Sequence, residues 1–177
     1  MSGENNNVVI KNPNTAQAVA ALVALAGQSE CDAEGHAKRV ALYAKAISKQ
    51  MSLTAAEIEH VTNAAALHDI GKVAISKGIL GKIGKLSNEE FEIMKLHSTV
   101  ALNAVSKVET LRPSVPYIKH HHERYDGNGY PDGLVGENIP LGARIIAVCE
   151  VFDILTVGTP WKKSITLGEA LDELVRC

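Results

Sequence analysis

The sequence predicts an all-α fold, and three observations carry that expectation. Apolar residues recur at helical spacing in successive segments, as at Val40, Tyr43, Ala44 and Ile47. Ser/Thr-x-x-Glu pairs, a signature of helix starts, occur at Thr54/Glu57, Ser87/Glu90 and Thr166/Glu169. Aromatic residues make up only 4% of the chain and Ala is common, which favours packed helices over sheets.

The elements follow in order. Residues 1–14 read as a flexible lead to a helical domain over 15–177. An Ala/Leu/Val-rich helix covers 15–29, and a second runs from Asp32 to about Met51. Thr54 starts a third, carrying Ile58, Val61, Ala65 and Leu67 and stopping near Gly71, since glycine commonly stands just past a helix end. The glycine-spaced connection "AISKGILGKIGKLS" follows. Ser87 then opens a helix with Phe91, Met94 and Val100. Pro113 and Pro116 punctuate the chain before a short helix, and 123–140 is a long Gly-rich loop bounded by Pro140. "LGARIIAVCEVFDILT" is a strongly apolar helix, and Thr166 caps a last one. No internal repeat or low-complexity run interrupts the pattern.

The bulk numbers narrow the function classes. A chain of 177 residues can bury a real core in one domain. A hydrophobic share of 46% and a charged share of 21% are ordinary for a globular protein. The net charge of −2 gives no support to a nucleic-acid polymer or a membrane surface as partner. "MSGENNNVVIKNPN" lacks the cationic and apolar regions of a signal peptide, and "AVAALVALAG" is too short to span a bilayer. Cys31, Cys149 and Cys177 show no zinc-finger spacing, so reduced thiols in the cytoplasm are expected. The expectation is a soluble cytoplasmic protein, or a domain of a larger one.

The seven histidines carry the chemistry: His36, His60, His68, His97, His120, His121 and His122. His68 is followed at once by Asp69, a nitrogen and an oxygen ligand side by side, and an aspartate there can bridge two cations. His36, His97 and the His121-His122 pair converge only if their helices pack around one centre, as helical bundles do at di-metal sites. Mixed imidazole and carboxylate ligation suits iron, manganese or zinc better than magnesium or calcium. Each residue also has a plainer reading. His68-Asp69 can be a cation and a capping acid at a helix end, and His120 to His122 a solvated polar turn. The combination carries the metal reading.

The order His36, His68-Asp69, His97, His121-His122 resembles the HD superfamily of metal-dependent phosphohydrolases. "AALHDIGKVAI", "HHERYDGNGYPDGLVGENIPLGARIIAV" and "VFDILT" resemble its HD-GYP branch more closely, with Gly129-Tyr130-Pro131 as the GYP, and the likeness covers about 32–163. The resemblance implies a bacterial all-helical domain with two divalent transition metals, iron or manganese foremost, with zinc, nickel or cobalt as alternatives. It implies hydrolysis of cyclic di-GMP to linear pGpG, GMP or both. It puts His36, His68, Asp69, His97, His121 and His122 on metal-ligand positions, with Asp69 bridging. Lys72 falls on the lysine thought to touch the scissile phosphate or protonate the leaving oxygen, or is simply a cation at a helix end. Lys162 falls in the segment that contacts substrate phosphates. His60 and His120 match no family position. The direct reading agrees, because a hydroxide bridging two cations can attack phosphorus while the cations neutralise the developing charge.

The chain departs from the family at three places. Glu150 stands where an aspartate ligand is usual, a methylene longer but chemically competent, and Asp153 keeps a structural role beside it. Asp32 stands where members with a third metal carry glutamate, so it is either a short third-metal ligand or the N-cap of the second helix. Thr159 and Trp161 replace an arginine and a tyrosine of the substrate segment. The loop holding Asp126, Gly127, Gly129, Tyr130 and Pro131 is expected to form a lip beside the metals. Its glycines would permit positive φ, and Glu123, Asp126 and Arg144 would pin it, foremost through an Arg144–carboxylate contact. An exposed Tyr130 would contact another protein, by resemblance a GGDEF-domain partner, or else the loop is purely structural; the N-terminal helix is either the remnant of a linker to a further domain or a homodimer contact. The competing function is a degenerate domain that binds metal, ligand or a GGDEF partner without turnover.

Overall fold

The computed structural model describes residues 17, 21, 22, 35–158 and 163–176. The flexible lead, Asp32, Thr159, Trp161 and Lys162 lie outside the described residues, as does most of the helix expected over 15–29, of which residues 17, 21 and 22 are helical. The described residues contain helices and one isolated bridge but no strand.

Helix α1 (His36–Gln50) lies along α2 (Ala55–Leu67) and α8 (Leu141–Val157). Between α2 and α8 come α3 (Lys77–Leu80), α4 (Asn88–Lys95), α5 (His97–Val100), α6 (Leu102–Ser106) and α7 (Val115–His120), with α9 (Leu167–Arg176) after them. The core joins Val40 and Ala44 of α1, Val61 and Ala65 of α2, Ile118 of α7, and Ile145, Ile146 and Cys149 of α8. These positions follow the helical spacing, so each helix turns one stripe inward. Gly142 lets α8 approach α7, because a Cβ there would overlap the Tyr117 ring. Among the described residues no helix is long and apolar enough to cross a membrane.

All three capping boxes form. Thr54, Ser87 and Thr166 donate their backbone N–H to Glu57, Glu90 and Glu169 at 2.8, 2.7 and 2.8 Å. Their hydroxyls accept the N–H of the same glutamates in return.

Two boundaries differ from expectation. α2 stops at Leu67, four residues short of Gly71, and the chain turns through a 3-10 segment, Ile70–Ala74, that contains Gly71. Gly71 therefore ends no helix. A Cβ there would land on the backbone of His97, so the glycine permits this turn to press against the start of α5. The helix expected from Ser87 through Val100 is broken after Lys95, and its second part begins at His97.

Candidate metal centre

Three of the histidines share one local device. His68 is the C-cap of α2, His97 opens α5 where the chain breaks from α4, and His121 is the C-cap of α7. Each donates its Nδ1–H to the carbonyl three residues back, Ala65, Met94 and Ile118 respectively, at 2.7 Å in every case. A carbonyl can only accept, so Nδ1 carries the proton and Nε2 keeps a bare lone pair. Helix ends supply such carbonyls because their helical donors have run out. His36 is fixed differently, with its Nδ1 donating to Asp153 Oδ2 at 2.7 Å.

These imidazoles converge on Asp69. One set of ligand atoms comes from Asp69, His97, His121 and His122, and a second from His36, His68 and Asp69; within each set the atoms lie within 4.8 Å of one another. Asp69 belongs to both. Its Oδ1 is 3.6 Å from His97 Nε2 and its Oδ2 is 3.4 Å from His68 Nε2. Lys72, one helical turn on, donates to Asp69 Oδ2 at 2.6 Å. His68, His97 and His121 are buried to within 2% of full burial.

The donor set suits metal. Among the described residues, His68 Nε2 and Asp69 Oδ1 are buried without a hydrogen-bond partner, a costly arrangement unless a cation completes it. Burial works to raise the Asp69 carboxyl, but Lys72 and the histidines hold it well below its ordinary range. Burial lowers His97 and His121, and pushes His122 down to about 3. These three stay neutral at physiological pH, as ligand imidazoles must. The residues therefore offer one carboxylate common to both sets, together with neutral nitrogens, a combination that could hold metal.

Glu150 stands outside both sets, with Oε2 3.7 Å from His122 Nδ1, on the rim of the cluster. Asp153, one turn further along α8, is buried behind His36 and receives Arg39 through Nε at 2.7 Å and a second nitrogen at 2.9 Å. The Arg39–Asp153 fork was not anticipated from the sequence. The signal available was Arg39 itself, three residues from His36 and on the same helix face.

The loop after His122 is pinned chiefly by Glu123. This buried carboxylate accepts the backbone N–H of Asp132 at 2.8 Å and of Leu134 at 3.1 Å. His120, which matches no family position, lies 3.4 Å from the same carboxylate, a structural place. Among the described residues the expected Arg144–carboxylate contact does not form: Arg144 Nε is buried without a partner there, and Arg124 takes Asp126 instead at 2.6 Å. Arg124 is the nearer choice because it lies inside the loop, two residues from Asp126. Gly127, Gly133 and Gly136 have the positive φ expected of them, but Gly129 serves close approach, since a Cβ there would overlap the backbone of Glu123 and Arg124. Tyr130, followed by a cis peptide to Pro131, is not the exposed side chain expected. Its N–H bonds to the His122 carbonyl at 3.2 Å, and its ring lies 4.9 Å from the His122 ring. The half-buried ring thus faces the histidines.

A family profile described as HD domain matches residues 12–177, nearly the whole chain. The chain belongs to the HD domain family. This HD domain is 42% identical over 136 residues to the cyclic di-GMP phosphodiesterase response regulator RpfG of Xanthomonas campestris, covering 76% of the chain and 36% of that protein. It is 38% identical over 141 residues to a cyclic di-GMP phosphodiesterase of Thermotoga maritima, covering 78% and 38%. It is 34% identical over 175 residues to 3'3'-cGAMP-specific phosphodiesterase 2 of Vibrio cholerae, covering 97% and 34%. The chain thus spans about a third of the length of these relatives. Among solved structures, a HDG"Y"P protein from Bdellovibrio bacteriovorus superposes with a TM-score of 0.65 at 17% identity, over 91% of this chain and 57% of that one. That likeness shows the helical fold of this HD domain.

Proposed function

We propose that this HD domain is a metal-dependent phosphodiesterase acting on a cyclic dinucleotide, cyclic di-GMP foremost, to give pGpG, GMP or both. The observation that carries the reading is Asp69 shared between two sets of imidazoles. His36, His68 and Asp69 would hold one divalent metal, and Asp69, His97, His121 and His122 a second, iron or manganese being the best match. Such a pair supplies an activated water and neutralises charge on a phosphodiester. The chain's own residues do the rest. The Nδ1 bonds of His68, His97 and His121 hold three rings in fixed orientation. Lys72, drawn to Asp69, keeps a cation where a phosphate oxygen would arrive. The relatives' names, covering both cyclic di-GMP and 3'3'-cGAMP phosphodiesterases, support a cyclic dinucleotide as the substrate class.

The second reading is a domain that binds metal and ligand, or a GGDEF partner, without turnover. It is favoured by Glu150 standing on the rim outside both ligand sets. The deciding experiment is elemental analysis of the purified protein, paired with cyclic di-GMP and 3'3'-cGAMP turnover under anaerobic conditions with Mn²⁺ or Fe²⁺. Two metals with turnover, both lost in Asp69→Ala, are expected. Two metals with no hydrolysis of either dinucleotide would move the assignment to the binding domain.

A further inference from the structure

Phe91 on α4 leaves 45% of its surface exposed although it stands beside a buried site. Its ring meets the Tyr130 ring edge-on, with centroids 6.2 Å apart and planes at 84°. Lys95, one helical turn along, sets its Nζ over both rings, 5.0 Å from the Phe91 centroid and 5.7 Å from that of Tyr130. Glu92 pairs with the same ammonium at 2.7 Å. The other end of this row touches the centre. The Tyr130 ring lies 4.9 Å from His122 and 6.4 Å from His97. α4 also runs directly into His97, whose Nδ1 bonds to Met94 of α4, so the row cannot drift from the ligand cluster.

Resting on the cyclic-dinucleotide reading, we infer that one guanine base of the substrate stacks on the Phe91 ring, a ledge with Tyr130 at right angles beside it, and moves the Lys95 ammonium from over that ring to the edge of the base, the phosphodiester lying at the Asp69–histidine cluster. An exposed aromatic surface adjoining a phosphate site is what a base can stack on. The preference for guanine follows from Lys95. A lysine only donates, and guanine presents two neighbouring acceptors, O6 and N7, where adenine presents one acceptor beside a donor. Stacking gives affinity and Lys95 gives the choice of base.

The test uses the full chain loaded with metal. Binding and KM are measured for cyclic di-GMP and cyclic di-AMP, with inorganic phosphate as a base-free competitor. Phe91→Ala should weaken cyclic di-GMP by about tenfold, in the range of lost base stacking. Metal content and phosphate inhibition should stay as in the parent protein, and Phe91→Trp should restore most of the loss. Lys95→Met should narrow the ratio between the two dinucleotides. The ledge is overturned if Phe91→Ala leaves cyclic di-GMP unaffected, if it weakens phosphate equally, or if the parent protein binds no cyclic dinucleotide. Phe91-dependent binding without turnover would leave the ledge standing and remove the phosphodiesterase reading instead.

Discussion

Asp153 Oδ2 accepts the Nδ1–H of His36 at 2.7 Å, across 117 residues of sequence. The carboxylate is buried, and burial works to raise its pKa, but the hydrogen bonds from Arg39 and His36 keep the net shift downward. It therefore stays ionised, holds the imidazole in the Nδ1–H tautomer and makes the bare Nε2 lone pair more basic toward a metal. Asp153→Asn keeps the shape and removes the charge. It should weaken metal at the His36–His68–Asp69 set by about 10- to 100-fold while sparing the other set. Metal titration with elemental analysis reads this directly, and unchanged stoichiometry and affinity at both sets would count against it.

Acid should destabilise the metal-free protein well before its carboxylates titrate. Burial lowers His122 from 6.5 to about 3, and His97 and His121 shift the same way. Below 6.5 the unfolded chain binds protons that the folded chain refuses, so stability falls as pH falls toward the folded values. Each such group contributes a slope of about 1.4 kcal/mol per pH unit within its window. Asp69, with its pKa lowered below 3.8, adds the same sign only at more acidic pH. Urea midpoints of chelated protein should therefore drop between about pH 6.5 and pH 5. A midpoint that stays level or rises on acidification would show that these rings are not held neutral.

The parts legible in the sequence are those written locally. The capping boxes span three residues, and all three form. His68-Asp69 and His121-His122 are adjacent pairs, so their chemistry is visible before any fold is known. What failed depended on which segments meet. Gly71 has the sequence look of a helix end, and only the arrival of His97 against it reveals its work. Arg144 was expected to take a carboxylate, but Arg124 was nearer. Tyr130 in a polar glycine loop reads as exposed until the bond from its N–H to His122 turns it inward.

Gly71 gives a sharp test of that close approach. A Cβ at this position would strike the carbonyl oxygen, the carbonyl carbon and the Cα of His97. Gly71→Ala must then push α5 away from the Asp69 turn. We expect a loss of about 1–3 kcal/mol, typical of overpacking, together with reduced metal at the His97 set. Gly78→Ala is the control, since nothing lies within 4 Å of a Cβ there and helix propensity favours alanine. Equal unfolding midpoints and equal metal content for the two variants would show that the glycine at 71 is dispensable.

Glu123 ties the loop to the metal centre by position alone, as the residue after His122. Its two carboxylate oxygens accept the N–H groups of Asp132 and Leu134 at 2.8 and 3.1 Å. Glu123→Gln keeps the volume but turns one oxygen into an NH2 group, which then faces a backbone donor. One of the two N–H groups loses its acceptor, at a cost of about 1–3 kcal/mol. The damage should stay in the loop, because His121 is held independently by the Ile118 carbonyl. Hydrogen exchange at Asp132 and Leu134 should quicken while metal content holds. Cyclic dinucleotide affinity should fall with it, since Tyr130 lies in the segment released. If those two amides exchange at the parent rate, the loop is held by something other than Glu123, with Arg124–Asp126 the next bond to remove.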